Sequence, residues 1–311
     1  MVALSDLNYN KIEIDQPLIS IIINCFNGEK YLIEALNSVL AQTYENWEIV
    51  FWDNKSTDKS AEIFQNYKDD RFKYYCADSH AKILYKARKE ALKKTKGDFI
   101  AFLDADDWWV SDKLEKQMLL FKDPAVGLVY GNFCYFFENK KKIILNKKKN
   151  PTGMILGDLL KDYIIKSPTY IIRKIFLTNL KLNFNEKYHI IGEFDLILRL
   201  AANCKIDCVQ TSIAYIRLHE KNESLLNRYI EIEEMRIWYN EIKNEPTFSS
   251  YEELSKFPLK ISYLETMQSI LQERFGKSFL KVLKYPFCFD KIKLLTALLL
   301  PKSVLKKIKN Y

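Results

Sequence analysis

The tetrapeptide Asp104-Ala105-Asp106-Asp107 places three carboxylates directly after a short apolar run, Phe99–Leu103. Carboxylates this close repel one another and raise one another's pKa unless a cation or another positive partner lies among them. Oxygen ligands of this kind suit Mg²⁺ or Mn²⁺, and such ions usually share their coordination with substrate phosphates. The tetrapeptide therefore predicts a metal and phosphate site, most simply for a nucleoside diphosphate. The alternative is a solvated acidic turn before a helix that starts near Ser111.

Polar residues also follow two earlier apolar runs that have the pattern of strands. Asn27 comes shortly after Leu18–Ile23, and Asp53 follows Trp47–Trp52. Continuous apolar runs are typical of parallel strands covered on both faces, and the segments between them have helical spacing, so the pattern indicates an α/β sheet. Ligands of such sheets bind beyond the carboxyl ends of the strands. We therefore expect Asn27, Asp53 and the tetrapeptide to meet at one edge.

Composition excludes several classes of protein. The 311 residues are 48% apolar, which allows one large or two modest domains with a full core. The chain has only eight glycines and neither a G-x-G-x-x-G nor a P-loop motif, which disfavours dinucleotide-binding Rossmann domains and P-loop NTPases. No stretch reaches the roughly 18 apolar residues that span a bilayer. Six scattered cysteines and no secretory signal indicate reduced thiols in a cytoplasmic protein.

The net charge of +8 is concentrated at the C-terminal end. The segment Lys277–Tyr311 contains nine lysines and one acidic residue, Asp290, so residues 1–276 are neutral overall. A neutral body argues against a nucleic-acid-binding surface and indicates a localised contact with an anionic partner. Leucines and isoleucines alternate with lysines from Ile292 to Ile308, which predicts a basic amphipathic segment at an anionic membrane surface. Packing on the α/β domain and dimerisation are the alternatives.

Two later segments also carry residues that could do chemistry. Glu193 opens a predicted helix, where the positive end of the helix dipole favours a carboxylate. Asp195 and Arg199 are four residues apart on that helix and can pair. A predicted strand over residues 213–218 ends at His219.

Five segments, in this order and at this spacing, resemble the family 2 glycosyltransferases of GT-A fold. They are Leu18–Asn27, Trp47–Asp58, Lys96–Asp107, Ile191–Leu200 and Tyr215–Ser224. The resemblance implies an N-terminal lead-in over residues 1–16 and a GT-A catalytic domain over residues 17–225. That domain is expected to be α/β, with a mostly parallel central sheet flanked by helices. Residues 226–311 fall outside the resemblance and are expected to form a helical C-terminal region.

The resemblance also implies roles for individual residues. Asp53 corresponds to the aspartate that recognises the uracil of a nucleotide sugar. Asp104 corresponds to the first aspartate of the D-x-D motif, near ribose and metal, and Asp106 to the second, which binds Mn²⁺ or Mg²⁺ on the diphosphate. Glu193 stands where the family places its general base. Because the family often has an aspartate there, Asp195 is the runner-up.

Further residues are implied at the edge of the donor site. Cys25 and Asn27 lie in the turn after the first strand and are expected to line the donor site. Lys82 and Arg88 are the two candidates for the basic residue that contacts the donor. His219 is a candidate for a third metal ligand, and an ordinary hydrogen-bonded histidine is the alternative.

The resemblance implies a metal-dependent, inverting hexosyltransferase that acts at the inner face of the cell membrane. It would move a sugar from a UDP-sugar to a hydroxyl of a bacterial surface glycan or lipid-linked oligosaccharide, such as lipooligosaccharide or capsule. The metal would neutralise charge on the leaving phosphate, and a carboxylate would deprotonate the acceptor. One alternative is a sugar nucleotidyltransferase, although Asn24–Gly28 makes a poor phosphate loop. The other is an inactive, membrane-associated assembly protein.

Overall fold

The computed structural model describes residues 16–145, 149–220, 222, 226–272, 275–302 and 304–305. The chain divides after Asn222 into two compact units. Each unit has its own buried core, and each is described by itself. Within the described ranges, every helix is too short or too polar to cross a membrane.

The first unit is built on a mixed sheet, which has nine strands among the described residues. In chain order the strands are β1 (Ile19–Cys25), β2 (Trp47–Asp53), β3 (Phe72–Cys76), β4 (Phe99–Phe102), β5 (Trp108–Trp109), β6 (Val126–Phe137), β7 (Lys142–Leu145), β8 (Ile171–Arg173) and β9 (Lys205–Leu218). Their order across the sheet is β3-β2-β1-β4-β8-β6-β9-β5, with β7 paired to β6. The predicted parallel pairing is confirmed for β1 to β4, whereas β8 runs antiparallel to both of its neighbours.

Helices pack along this sheet. They are α1 (Leu32–Leu40), α2 (Ser60–Gln65), α3 (Leu84–Leu92), α4 (Lys113–Leu120), α5 (Leu156–Lys161), α6 (Lys174–Asn179) and α7 (Gly192–Ala201). Helix α1 shows why they form, since its residues 32, 35, 36 and 39 recur at helical spacing and are all buried. The α/β architecture expected from the sequence is confirmed.

Strand β5 brings the two ends of the candidate site together. It follows the acidic tetrapeptide directly and pairs with β9, with Trp108 opposite Tyr215 and Trp109 opposite Ala214. The end of β9 therefore lies beside the tetrapeptide. A strand of two residues is too short to show a periodicity, and the sequence did not predict it.

The second unit is entirely helical among its described residues. Its helices are α8 (Arg228–Ile242), α9 (Pro246–Ser249), α10 (Glu252–Ser255), α11 (Phe257–Gln272), α12 (Phe275–Lys284) and α13 (Phe289–Leu299). Helices α11 to α13 pack against one another around Ile270, Val282 and Leu294. The helical C-terminal region predicted from the sequence is confirmed.

Candidate active site

The first wall of the site lies where β1 and β2 end. Asp53 is buried, and its carboxylate accepts hydrogen bonds from the Tyr74 hydroxyl and the Ser56 N–H, each at 2.7 Å. Cys25 pairs with Asp53 across the two strands. Burial raises the pKa of the Cys25 thiol to about 11, so it is a neutral group packed beneath the turn at Gly28.

The turn after β1 is joined to the turn after β2 by Asn27. This residue has a φ of 53°, in the left-handed region that asparagine tolerates better than most residues. Its side-chain oxygen accepts the Thr57 N–H at 2.8 Å, and its own N–H donates to Ser56 Oγ at 3.0 Å. Asn27 thus fixes the shape of this edge.

A second bridge ties β2 to the loop before α3. The Asn54 side chain accepts from the Ala81 N–H and donates to the Ala81 carbonyl, both at 2.8 Å. Lys82 follows this bridge, and its side chain is exposed. Arg88, the other basic candidate, lies within α3 and is buried.

Arg88 is the centre of the site. Its guanidinium donates to Glu193 Oε2 at 2.7 Å, to Asp104 Oδ1 at 2.8 Å and to Ser167 Oγ at 2.7 Å. The rigid fork of donors on an arginine can hold three acceptors at once, which the single ammonium of Lys82 would do less well. Of the two candidates, the structure brings Arg88 to the predicted catalytic carboxylates.

The pKa values show how these charges coexist. Desolvation, helped by Asp106 and Glu193, raises the pKa of Asp104 to about 6, and Arg88 opposes this rise. Burial lowers the pKa of Arg88, but Asp104 and Glu193 more than compensate and hold it above its ordinary value. Arg88 is therefore a permanent cation, and it is one positive partner that the acidic tetrapeptide requires.

Asp106 has a separate partner at the end of β9. The Nε2 atom of His219 lies 2.9 Å from Asp106 Oδ2. The imidazole stacks on the Tyr31 ring with centroids 5.2 Å apart, and the backbone N–H of His219 donates to Asn222 Oδ1 at 2.7 Å. Both side chains of the pair are partly exposed, so a ligand can reach them.

We tested whether this pair fits a divalent metal ion. In the part of the chain that the structure describes, no group of three or more His, Cys, Asp or Glu side chains is arranged to hold one. Mg²⁺-type sites, however, use one or two protein ligands and complete their coordination with substrate phosphates and water. Two neighbouring ligands of such an ion stand roughly 3 Å apart, close to the 2.9 Å between Asp106 and His219. The pair therefore fits a divalent metal ion whose remaining coordination positions are filled by substrate phosphates and water.

The third carboxylate has a structural task. Asp107 is buried and accepts the Arg217 N–H at 2.8 Å, while Arg217 Nε donates to the Asp106 carbonyl at 2.9 Å. Burial and the two neighbouring carboxylates raise the pKa of Asp107 well above its usual range. The Arg217 guanidinium also lies over the rings of Tyr31 and Trp108. Asp107 and Arg217 together lock the tetrapeptide against β9.

Glu193 occupies the first turn of α7, and Tyr85 sets the start of that helix. The Tyr85 hydroxyl donates to the Ile190 carbonyl at 2.7 Å, and its ring packs on Gly192 so closely that a Cβ there would lie 2.5 Å away. Asp195 is buried, and its carboxylate accepts from Arg199 Nε at 2.9 Å, which confirms the predicted pairing. Glu193 is linked to Asp104 through Arg88, whereas Asp195 is held by Arg199.

Several residues of the site were not predicted from the sequence as site residues. Ser167, which contacts Arg88, comes from a loop far along the chain and carries no local signal. Tyr31 lies just before α1, also without a signal. Arg217 is two residues before His219, a spacing that puts both on one face of a strand and could have revealed it. Asn222 lies in the last of the five segments that carry the resemblance.

Comparison with known proteins gives consistent matches. Residues 20–199 match the profile of the family described as Glycosyl transferase family 2. Over 239 residues the chain is 31% identical to UDP-Glc:alpha-D-GlcNAc-diphosphoundecaprenol beta-1,3-glucosyltransferase WfgD of Escherichia coli, which covers 72% of this chain and 91% of that relative.

Two solved structures have a similar fold. S. aureus TarS 1–349 in complex with UDP-GlcNAc has a TM-score of 0.64 at 20% identity, over 90% of this chain and 79% of that one. The mannosyltransferase PcManGT from Pyrobaculum calidifontis, in complex with GDP-Man and Mn²⁺, has a TM-score of 0.62 at 14% identity, over 94% and 84%. These likenesses agree with the GT-A fold expected from the sequence.

Proposed function

We propose that this chain glycosylates a lipid-linked bacterial glycan with inversion of configuration, and that it uses a UDP-sugar and a divalent metal ion to do so. The chain belongs to glycosyl transferase family 2 and is a hexosyltransferase. One observation carries the proposal. The buried cation Arg88 joins Asp104, after β4, to Glu193, at the start of α7. The two carboxylates proposed to bind the donor and to act as the base are thus tied to one cation, which supports a single displacement.

The donor assignment rests on Asp53 and on the relatives. The Asp53 carboxylate is held by Tyr74 and Ser56, so it presents a fixed acceptor toward the N–H of a uracil ring. TarS is described in complex with UDP-GlcNAc, and WfgD is named for UDP-Glc. We therefore infer a UDP-hexose, with UDP-glucose as the first candidate.

Asp106 and His219 would hold Mn²⁺ or Mg²⁺. When bound, the ion would supply the positive charge that stabilises the departing diphosphate. PcManGT, described with Mn²⁺, supports this assignment. Asp104 would accept a hydrogen bond from the ribose, with its position fixed by Arg88. The His219 imidazole would keep its orientation through its stack on Tyr31, and Asn222 would fix the backbone of His219.

Glu193 would act as the base. Its carboxylate would take the proton from the acceptor hydroxyl as that oxygen forms a bond to the anomeric carbon. The bond from that carbon to the diphosphate oxygen would break on the opposite face, and this single in-line displacement inverts the configuration. Arg88 would hold Glu193 in place before the acceptor arrives.

The acceptor is inferred from the relative whose name states one. WfgD is named for a GlcNAc-diphosphoundecaprenol acceptor, and the alignment with it extends over most of both chains. We infer a related lipid-linked sugar for this chain. Such an acceptor would place the enzyme peripherally at the inner face of the cell membrane.

The test is release of UDP from a panel of UDP-sugars by the full chain, with Mn²⁺ and with EDTA. We expect slow hydrolysis of one UDP-hexose, lost with EDTA and restored by Mn²⁺, and faster turnover with a GlcNAc-diphospho-lipid. Release of pyrophosphate from UTP and a sugar phosphate would instead identify a nucleotidyltransferase. If UDP does not bind in the presence of Mn²⁺, the chain is an inactive assembly protein.

A further inference from the structure

Helix α12 presents three different surfaces around its axis. Ser278 and Val282 are buried, and they form its inner face. Phe275, Phe279 and Leu283 recur every four residues and are exposed over 61%, 39% and 51% of their surface. Successive residues in a helix are turned by about 100°, so these three side chains lie along one stripe. With Leu280 beside them, they form what we call the apolar face of α12.

The remaining side of α12 is basic. Lys277, Lys281 and Lys284 are all exposed, and helical geometry groups them on one arc between the apolar face and the buried face. A helix with adjoining apolar and lysine-rich sides is typical of segments that lie in a membrane interface.

The exposure of the apolar face does not come from a poorly packed helix. Ser278 Oγ lies 3.2 Å from Ser269 Oγ of α11, and Val282 is fully buried in the core with Ile270 and Leu294. The inner face of α12 is therefore well anchored. Its outer face is left to contact something outside the helical unit.

Exposed apolar side chains continue beyond α12. From the start of α12 to the end of α13, eight large apolar side chains are exposed: Phe275, Phe279, Leu280, Leu283, Phe287, Phe289, Ile292 and Leu299. Phe287 is 87% exposed and Leu299 is 80% exposed. The four on α12 lie on one side of one helix, and soluble proteins rarely expose such adjoining apolar groups unless the surface binds a partner.

This finding extends the amphipathic surface beyond the segment predicted from the sequence. The sequence predicted it over the residues from Ile292 to Ile308. In the structure, Leu294 and Leu305 of that segment are buried within the helical unit, and Ile308 lies outside the described residues. The predicted stripe is thus used partly for packing, with Ile292 and Leu299 still exposed, and α12 adds an amphipathic surface that the sequence did not predict.

We propose that the apolar face of α12 docks on an anionic phospholipid surface, with Phe275, Phe279, Leu280 and Leu283 in the interface and the lysines among the headgroup phosphates. Charge complementarity selects this occupant, because the chain from Lys277 onward has nine lysines and one acidic residue. That residue, Asp290, is already paired with Lys293. A second copy of the same face would bring lysines against lysines, which repel. The proposal does not depend on the reaction assigned to the first unit.

The experiment is cosedimentation of the full chain with vesicles of phosphatidylcholine, alone or mixed with phosphatidylglycerol. We expect binding to the anionic vesicles, weaker binding to the neutral ones, and loss at high salt. The combined change Phe275→Ser, Leu280→Ser and Leu283→Ser should lower the affinity at least tenfold. The matched control changes three apolar residues of the same unit that are also exposed, Leu226→Ser, Tyr229→Ser and Ile237→Ser, and should leave it unchanged.

A second pair of variants tests the charges. Each lysine near an anionic surface contributes roughly fivefold to affinity, so Lys277→Gln with Lys284→Gln should cost roughly 25-fold. The control Lys243→Gln with Lys256→Gln should cost little. Failure to bind anionic vesicles would overturn the proposal, and so would binding that the α12 variants leave intact. A dimer that the apolar variant dissociates would identify a second copy as the occupant. UDP release without vesicles should not change in any variant, which separates this test from that of the reaction.

Discussion

At the scale of single residues, the three carboxylates of the tetrapeptide have three different environments. Asp104 is paired with Arg88, and Asp106 contacts His219. Asp107 is buried and accepts a hydrogen bond from the backbone N–H of Arg217 in β9. A motif that looks uniform in sequence thus has three distinct sets of contacts, to which we assign a proposed donor-side role, a proposed metal-side role and a structural role. This division makes the roles separable by mutation.

The first prediction concerns the base. Glu193→Gln keeps the shape of the side chain but removes the proton acceptor, so turnover should fall by about 10²–10⁴ while UDP binding is retained. Asp195→Asn should instead weaken the pair with Arg199, which lowers the melting temperature and leaves most of the turnover. Steady-state rates, UDP titrations and thermal melts of both variants decide the matter. A greater loss of turnover in Asp195→Asn would transfer the role of base to Asp195.

The second prediction concerns the metal. Asp106→Ala removes one of the two ligands proposed to hold the ion, so UDP-sugar turnover should be abolished and Mn²⁺-dependent UDP binding strongly weakened. The change should leave the fold intact, because Asp106 is partly exposed. Titration calorimetry with and without Mn²⁺ measures the binding, and Asp70→Ala, at an exposed carboxylate, is the control. Unchanged turnover in Asp106→Ala would exclude the metal role.

The third prediction is a pH dependence of stability. The pKa of Asp104 is about 6 in the folded chain and near the ordinary value of 3.8 when unfolded. Between these values the folded state binds more protons, so the contribution of Asp104 to the free energy of unfolding rises as the pH falls from about 6 to 4. Asp104→Asn lacks this titration, and its stability relative to wild type should therefore decline over that range. Denaturant melts at pH 7 and pH 4 would reveal the trend, and a constant difference would contradict it.

At the scale of elements, the sequence predicted what depends on local pattern. The runs that form β1, β2 and β4 are nearly continuous and mostly apolar, and the polar residues after them do meet at one edge. It could not predict β5, whose two residues owe their conformation to pairing with β9. The sequence also could not rank Arg88 above Lys82. The ranking depends on the contacts of the buried Arg88 with Asp104 and Glu193, which are distant from it in the chain.

The fourth prediction concerns the contact between β1 and the loop before β4. A Cβ on Gly97 would lie 2.5 Å from the Leu18 carbonyl and 2.7 Å from the Ser20 nitrogen, and both are backbone atoms that cannot move aside cheaply. Gly97→Ala should therefore destabilise the first unit by about 1–3 kcal/mol. Gly276→Ala, on α12 with no atom within 4 Å of the new Cβ, should stabilise the second unit by about 0.5–1 kcal/mol. Urea melts of both variants test the pair, and equal effects would refute the packing argument.

At the scale of the whole molecule, the candidate catalytic residues and the basic C-terminal segment lie in different units. All of the candidate catalytic residues lie before Glu223, in the unit with the parallel strands. The segment from Lys277 onward, with nine lysines and one acidic residue, lies after it, in the helical unit with the exposed apolar face. A transferase that acts on a lipid-linked acceptor needs both a catalytic site and a means of staying at the membrane, and we propose that this chain carries them in separate segments.

The last prediction follows from this division. The first unit has a core made only of its own residues, so a chain that ends at Asn227 should fold, unfold cooperatively and bind UDP with Mn²⁺ as the full chain does. It should fail to sediment with anionic vesicles, because it lacks α12. Its turnover should match that of the full chain with a water-soluble acceptor and fall well below it with a lipid-linked acceptor in vesicles. Circular dichroism melts, UDP titration and the two acceptor assays measure these properties. Equal turnover on both acceptors would show that the helical unit has another purpose, and loss of cooperative unfolding would show that the first unit depends on it to fold.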